Sequence, residues 1–192
     1  MESICVYCAS SRQVDPIYTE TAATLGRLIA EAGYTLVYGG SARGTMGALA
    51  NAALNAGGKV TGVMPEFMCD LEWHHDGLTK LVMSKSLHDR KQKMLNLSDA
   101  IVALAGGSGT LDELLEAISL KRLGTFTGPI VIVNTNHFYD HLFQLLDNII
   151  TQRFMHERHR AIWTEVTTSE QVIPAILSAV DWSPDERHFA VV

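Results

Sequence analysis

Cysteine is scarce in this sequence: three residues in 192, an odd number that excludes a disulfide framework. Two of them, Cys5 and Cys8, have the CxxC spacing of redox and metal sites. They fall within the strand-like run 4–8, however, where positions three apart point to opposite faces. No second Cys/His pair at zinc-finger spacing accompanies them, so the pattern favours two buried thiols. Basic charge is in deficit as well. Fifteen Lys and Arg against 21 Asp and Glu leave a formal charge of −6, the wrong sign for a general nucleic-acid binder. Long apolar runs are missing, none approaching the roughly 20 residues of a membrane helix. The opening residues Met1-Glu-Ser-Ile-Cys5 hold no basic segment followed by an apolar one, so no signal peptide is expected and a soluble cytoplasmic protein is. Prolines number five, and no Pro/Ser-rich linker, low-complexity tract or solenoid-period repeat breaks the chain. It therefore reads as one domain over 1–192, with a peripheral tail from about residue 181.

What is present is an alternation of short β-branched runs with amphipathic stretches. Strands are expected at 3–9, 34–38, 59–64, 80–83, 99–104, 130–134 and, more weakly, 165–167; helices at 17–32, 45–56, 87–97, 111–123, 139–151 and 170–180. Runs such as Ile101-Val-Ala-Leu104 and Ile130-Val-Ile-Val133 are apolar on both faces, as strands of a covered parallel sheet are. The fold class predicted is α/β: a Rossmann-like, doubly wound, mainly parallel sheet of about seven strands with helices on both faces. Ligands in such sheets bind beyond the carboxyl ends of the strands, at a topological switch point. Three loops there stand out: Cys8-Ala-Ser-Ser11, Tyr38-Gly-Gly-Ser-Ala-Arg-Gly-Thr-Met-Gly47 and Ala105-Gly-Gly-Ser-Gly-Thr110. Together they would offer backbone N–H groups and two helix N-termini to an anion such as phosphate.

Neither glycine loop matches GxxxxGK[ST], and neither is GxGxxG with an acidic residue about 20 positions on, so triphosphate and dinucleotide chemistry are weakly supported. Tight strand-to-helix turns alone would also use glycines, but two such clusters in one chain favour a bound anion over that reading. In Ser86-Leu-His-Asp-Arg-Lys-Gln-Lys-Met-Leu-Asn-Leu97, Ser86 and Asp89 have the form of a capping box. Arg90 and Lys91 then share the inward stripe with Met94 and Leu97, where charge needs a partner. An anionic ligand or a carboxylate answers Arg90 best, while snorkelling suffices for Lys91. Thr110-Leu-Asp-Glu113 also fits a capping box, which would occupy Glu113; beside an anion nest the same carboxylate could instead address a developing positive charge or a water. Glu72-Trp-His-His-Asp76 reads as surface histidines rather than a metal site, and Arg153, His156, Arg158, His159 and Arg160 as a solvated basic face.

Taken together these residues resemble the LOG family, long labelled "possible lysine decarboxylase". Its signatures PGGxGTxxE and MHxRK stand here as Ala105-Gly-Gly-Ser-Gly-Thr-Leu-Asp-Glu113 and Leu87-His-Asp-Arg-Lys91. Further matches are Val6-Tyr-Cys-Ala-Ser-Ser11, the Tyr38–Gly47 glycine loop, Gly57-Gly-Lys-Val-Thr-Gly-Val-Met-Pro65, Gly77-Leu-Thr79 and Tyr139-Asp-His-Leu142, so the likeness spans roughly residues 3 to 180. The resemblance implies a homodimer that cleaves the N-glycosidic bond of nucleoside 5′-monophosphates to free base and ribose 5-phosphate, with no metal or organic cofactor. A non-catalytic nucleotide or phosphate-cofactor binding protein of the same fold is the alternative. Carried over by position, Arg90 and Glu113 match the catalytic pair. Glu72, Lys91, Gly106, Gly107, Ser108, Gly109, Thr110, Leu111, Asp112 and Ser119, with Gly40 and Ser41 in the other glycine loop, match substrate-binding positions. The chain departs from the pattern at Ala105, for proline; Ser41, for a third glycine; Leu87, for methionine; and Ser119-Leu-Lys-Arg-Leu-Gly124, for Thr-Trp-x-Gln-Leu-Gly.

Overall fold

The structure is a computed structural model, and it describes residues 1–69 and 74–190. Seven strands, β1 (Ser3–Tyr7), β2 (Thr35–Tyr38), β3 (Val60–Pro65), β4 (Lys80–Ser84), β5 (Ala100–Ala103), β6 (Ile130–Val133) and β7 (Thr164–Val166), form one parallel sheet. Its order is β4-β3-β2-β1-β5-β6-β7. The chain thus winds outward from β1 to β4, returns to the centre, and winds the other way from β5 to β7. The switch point lies between β1 and β5, the geometry in which a crevice opens beyond the strand ends.

The helices are α1 (Pro16–Glu31), α2 (Gly44–Asn55), the single turn α3 (Glu66–Cys69), α4 (Leu87–Asn96), α5 (Ser108–Arg122), α6 (Asp140–Thr151) and α7 (Val172–Leu177). Local chemistry sets their starts. Asp15 accepts from Ile17 N at 3.1 Å and Pro16 takes the first helical position, where a missing N–H removes nothing. Ser86 Oγ accepts from Asp89 N at 3.1 Å and caps α4. α7 is shorter than the expected 170–180, because a 3-10 turn at Ser169–Gln171 precedes it and Pro174 sits in its first turn.

Two apolar cores cover the two faces of the sheet. On one, α1 packs so closely on α2 that a Cβ at Gly26 would come within 2.1 Å of Leu49 O. The other is formed with α4, α5 and α6 around Ile101, Leu114 and Ile132. Cys5 belongs to the second core and Cys8 to the first, as strand alternation requires, and both are free thiols. Burial pushes the Cys8 thiol up to about 12 and raises that of Cys5 well above its ordinary value, which leaves both inert. Two expectations need correction. His159 lies on no solvated face: it is fully buried, its Nδ1 accepts from His156 N at 3.1 Å, and burial pushes its pKa down to about 4. The stretch after 181 begins with a core residue, Trp182, 7% exposed, whose indole N–H donates to Lys121 O at 2.7 Å. Among the described residues no helix is long and apolar enough to cross a membrane.

Candidate active site

The carboxyl ends of β1, β2, β3 and β5 meet the N-termini of α2 and α5 around a cleft of about 390 Å³. At its floor lies the pair anticipated on α4 and α5. Arg90 is 9% exposed and Glu113 5%, and Arg90 Nη1 donates to Glu113 Oε1 at 2.8 Å. Two backbone carbonyls complete the guanidinium's seat: Nε donates to Val63 O at 2.9 Å and Nη2 to Gly39 O at 3.2 Å. An arginine held by one carboxylate and two carbonyls from the ends of β3 and β2 is fixed in position as well as in charge. The fit explains Gly39. A Cβ there would stand 2.0 Å from Arg90 Nη2, so only glycine lets the guanidinium reach its place. Burial raises the Glu113 carboxyl above the usual carboxylate range, and the Arg90 charge opposes that rise.

Glu113 is therefore no helix cap. α5 starts at Ser108 with Gly107 as its N-cap, three residues earlier than the pattern suggested, and no side chain caps it. Its first backbone bond runs from Leu111 N to Gly107 O at 3.1 Å, so the N–H groups of Ser108, Gly109 and Thr110 precede the ladder. Thr110 turns its hydroxyl to Cys8 O at 3.2 Å and thereby ties α5 to the loop after β1. Thr45, at the start of α2, clamps the same loop, accepting from Ala9 N and donating to Ala9 O, both at 2.9 Å. Gly107 and Gly109 differ from Gly39. A Cβ at either would meet nothing within 4 Å, and neither has a positive φ. Nothing in the protein demands glycine there. What two such glycines leave is open space over bare N–H groups at the positive end of a helix, a receptor for an oxyanion.

Seven of the residues singled out in the sequence come together on the cleft walls: Arg90, Glu113, Gly107, Ser108, Gly109, Thr110 and Ser41. Ser41 is buried, and its Oγ accepts from Arg43 N at 3.2 Å, which makes its side chain part of the turn. The others among the described residues stand off the walls. Gly106 backs on to Thr110, Leu111 packs into the core, and Gly40, with φ 81°, carries the turn after β2 and accepts from His75 N at 3.0 Å. Lys91 points away from Arg90 to bridge Asp112 at 2.9 Å and Glu116 at 3.0 Å, so Lys91 and Asp112 satisfy each other across α4 and α5. Ser119 is exposed two turns further along α5, with its hydroxyl on Leu115 O. Glu72 lies outside the described residues. His75 brackets α2 through Asn51, and among the described residues no group of three or more His, Cys, Asp or Glu is placed to hold a metal.

The sequence reading missed the apolar side of the cleft, formed by Met46, Met64 and Met68 with Leu87. Methionines in a helix and a strand end look like ordinary core, and only the tertiary arrangement lines them up. It missed the carbonyls of Gly39 and Val63 too, since backbone acceptors leave no mark in a sequence.

The family model described as "Possible lysine decarboxylase" matches residues 46–176. A cytokinin riboside 5′-monophosphate phosphoribohydrolase of Rhodococcoides fascians is 38% identical over 178 residues, which cover 92% of this chain and 90% of that protein. The cytokinin riboside 5′-monophosphate phosphoribohydrolase LOG of Oryza sativa subsp. japonica is 34% identical over 170 residues, 88% of this chain and 70% of that protein. Among solved structures, the molybdenum cofactor binding protein of Rippkaea orientalis has a TM-score of 0.72 at 22% identity, covering 93% of this chain and 97% of that one, a likeness of fold. With the family model spanning most of its length and relatives of this identity over nearly all of it, the chain belongs to the LOG family.

Proposed function

We propose that this protein hydrolyses the N-glycosidic bond of a nucleoside 5′-monophosphate, releasing the free base and ribose 5-phosphate. The observation that carries the reading is the buried Arg90–Glu113 pair set beside the uncapped N-terminus of α5, with unfilled space at Gly107 and Gly109. The N–H groups of Ser108, Gly109 and Thr110 hold the 5′-phosphate, which orients the ribose over Glu113. As the bond from C1′ to the base nitrogen breaks, its electron pair leaves with the base and the sugar becomes oxocarbenium-like. The Glu113 carboxylate stabilises that cation and takes a proton from the attacking water, whose oxygen bonds to C1′. Arg90 offsets the negative charge developing on the base, which takes a proton from solvent as it departs, while Glu113 returns to solvent the proton it took from the attacking water. The relatives carry the name of cytokinin riboside 5′-monophosphate hydrolases. A base bearing an apolar substituent suits the methionine side of the cleft, and AMP is the simplest analogue. The label of lysine decarboxylase fits less well. Pyridoxal phosphate would need a lysine in the cleft; no described wall residue is one, and Lys91 is bound to two carboxylates.

A second part of the proposal is a homodimer through α4 and α5, which leave Leu87, Leu97 and Leu115 exposed. Light scattering at micromolar concentration should give twice the chain mass. The functional reading is tested by incubating the pure protein with AMP and with an N6-prenylated AMP and assaying ribose 5-phosphate. Release from either supports it; prolonged incubation with neither cleaved, while calorimetry detects nucleotide binding, would leave a binding protein instead.

A further inference from the structure

One buried contact links a loop outside the cleft to the peptide that opens the glycine loop. β6 ends at Val133, where the chain leaves the sheet through Asn134, and its neighbour β5 ends at Ala103, from which Leu104 leads to Ala105. The last pair in their register is Ala103 with Ile132, one residue short of Leu104. Leu104 N still donates to Tyr7 O of β1 at 2.9 Å. Its carbonyl lies just past the end of β5, where the ladder has run out, and needs a donor from elsewhere. The phenol of Tyr139 is that donor: Oη bonds Leu104 O at 2.7 Å, and the residue is 1% exposed.

Tyr139 is itself aimed with care. Asn134 spends its whole amide on the turn that delivers it: Oδ1 accepts from Tyr139 N, and Nδ2 donates to Asp140 and to Glu165, all at 2.7 Å. Between Asn134 and Tyr139 the backbone passes through two consecutive left-handed residues, Asn136 with φ 51° and His137 with φ 59°. Non-glycine residues rarely adopt that conformation, and here the surrounding bonds enforce it. Phe138 and Phe143 hold the Tyr139 ring at centroid distances of 4.9 and 6.4 Å. The loop is built to bring one hydroxyl to one carbonyl.

We propose that Tyr139 is a positioning residue for the anion-binding loop. By fixing the Leu104 carbonyl it sets where the N–H groups at the start of α5 stand. This rests on the reading that those groups take the 5′-phosphate. The position after Leu104 makes the restraint matter: Ala105 has no ring to fix its φ, so the hydrogen bond supplies the stiffness that a proline would.

Tyr139→Phe is the test, since it keeps the ring and its packing and removes only Oη. The affinity for ribose 5-phosphate, measured by calorimetry, should fall about tenfold, the order expected for one buried hydrogen bond. The KM for AMP should rise in step while kcat stays within about threefold, as loss of uniform binding predicts. Amide hydrogen exchange should accelerate at 105–111 and stay unchanged at 39–47. An affinity within twofold of the parent, or exchange that accelerates evenly over the sheet or nowhere, overturns the proposal. The parent protein separates the two readings. If it releases no ribose 5-phosphate from AMP or N6-prenylated AMP, the functional proposal fails, and the exchange pattern alone decides on Tyr139.

Discussion

α5 buries a charge near each end, and the two are treated differently. Glu113, in its second turn, meets Arg90 at 2.8 Å and borders the cleft. Lys121, eight residues on and about 12 Å along the axis, is 2% exposed, with Nζ over the Trp182 ring at 5.6 Å. Among the described residues no carboxylate is within ion-pair distance of it, and burial pushes its pKa down to about 8. Burial drives both groups towards their neutral forms; only at Glu113 does an opposite charge push back. The contrast separates a site from a structural compromise. A buried charge with a partner, an opening and a vacant cradle beside it is poised for chemistry. One covered by an indole and the tail of the chain fills space.

The sharpest way to break the comparison is to neutralise each charge in turn. Glu113→Gln should lower kcat for AMP by about 10³ or more, the loss expected when a general base and its charge are removed together. Its unfolding midpoint should fall, because the amide oxygen still accepts from Arg90 Nη1 but leaves the buried guanidinium charge uncompensated, so turnover is compared well below that midpoint. A variant that retains a tenth of parental turnover would remove Glu113 from the mechanism. The acidic limb of the parent's kcat/KM profile should lie above the pH of a free glutamate, because the carboxyl is raised and its ionised form is the active one.

Gly39→Ala sharpens the same end of the helix without touching a charge. Its Cβ would displace the guanidinium, and a loss of about 10² in kcat/KM is expected from the misplacement. Full activity would mean that Arg90 works from more than one position. At the other end, Lys121→Met should leave turnover alone and raise stability at pH 7 by about 2 kcal/mol, somewhat less than the full pKa shift implies, because the cation–π contact is lost. The sign follows from linkage. Below pH 8 both folded and unfolded lysine are charged and the burial penalty is complete. Between about 8 and the ordinary lysine value of 10.5 the unfolded state holds the extra proton, so stability rises with pH. Chemical denaturation of parent and variant across that range should show the rise in the parent alone.

The smallest effect belongs to Gly109→Ala. Alanine favours the helix, so stability should gain about 0.5–1 kcal/mol, yet the new Cβ enters the open space where the proposed phosphate would lie. Ribose 5-phosphate should bind about tenfold more weakly by calorimetry. Tighter or equal binding would argue that the ligand lies elsewhere.

Much of this was written in the chain. β-branched runs apolar on both faces announced a covered parallel sheet, and Arg90 on an apolar stripe announced a buried partner. The same stripe also admitted Lys91, whose partners proved to be Asp112 and Glu116 rather than the cleft. Periodicity tells which side of a helix is covered, and says little about what covers it. Thr110-Leu-Asp-Glu113 spelled a cap, but a glycine already filled the cap position, so threonine and glutamate fell inside the helix and were free for other bonds. His159 looked solvated among arginines, and Trp182 looked like part of a tail. Each is buried by a segment remote in sequence, which local pattern does not register.

The order of the sheet has one more consequence. Everything up to α4, with β1 to β4, is a continuous half of the chain, and everything from β5 onward is the other. Arg90 with its two carbonyl acceptors belongs wholly to the first half, and Glu113 with the uncapped start of α5 wholly to the second. The buried ion pair therefore spans the seam between two halves, beside the Lys91 bridges to Asp112 and Glu116, and each half holds charges without partners until they close. Neither half owns a working site, so assembly of the domain and assembly of its chemistry are the same event.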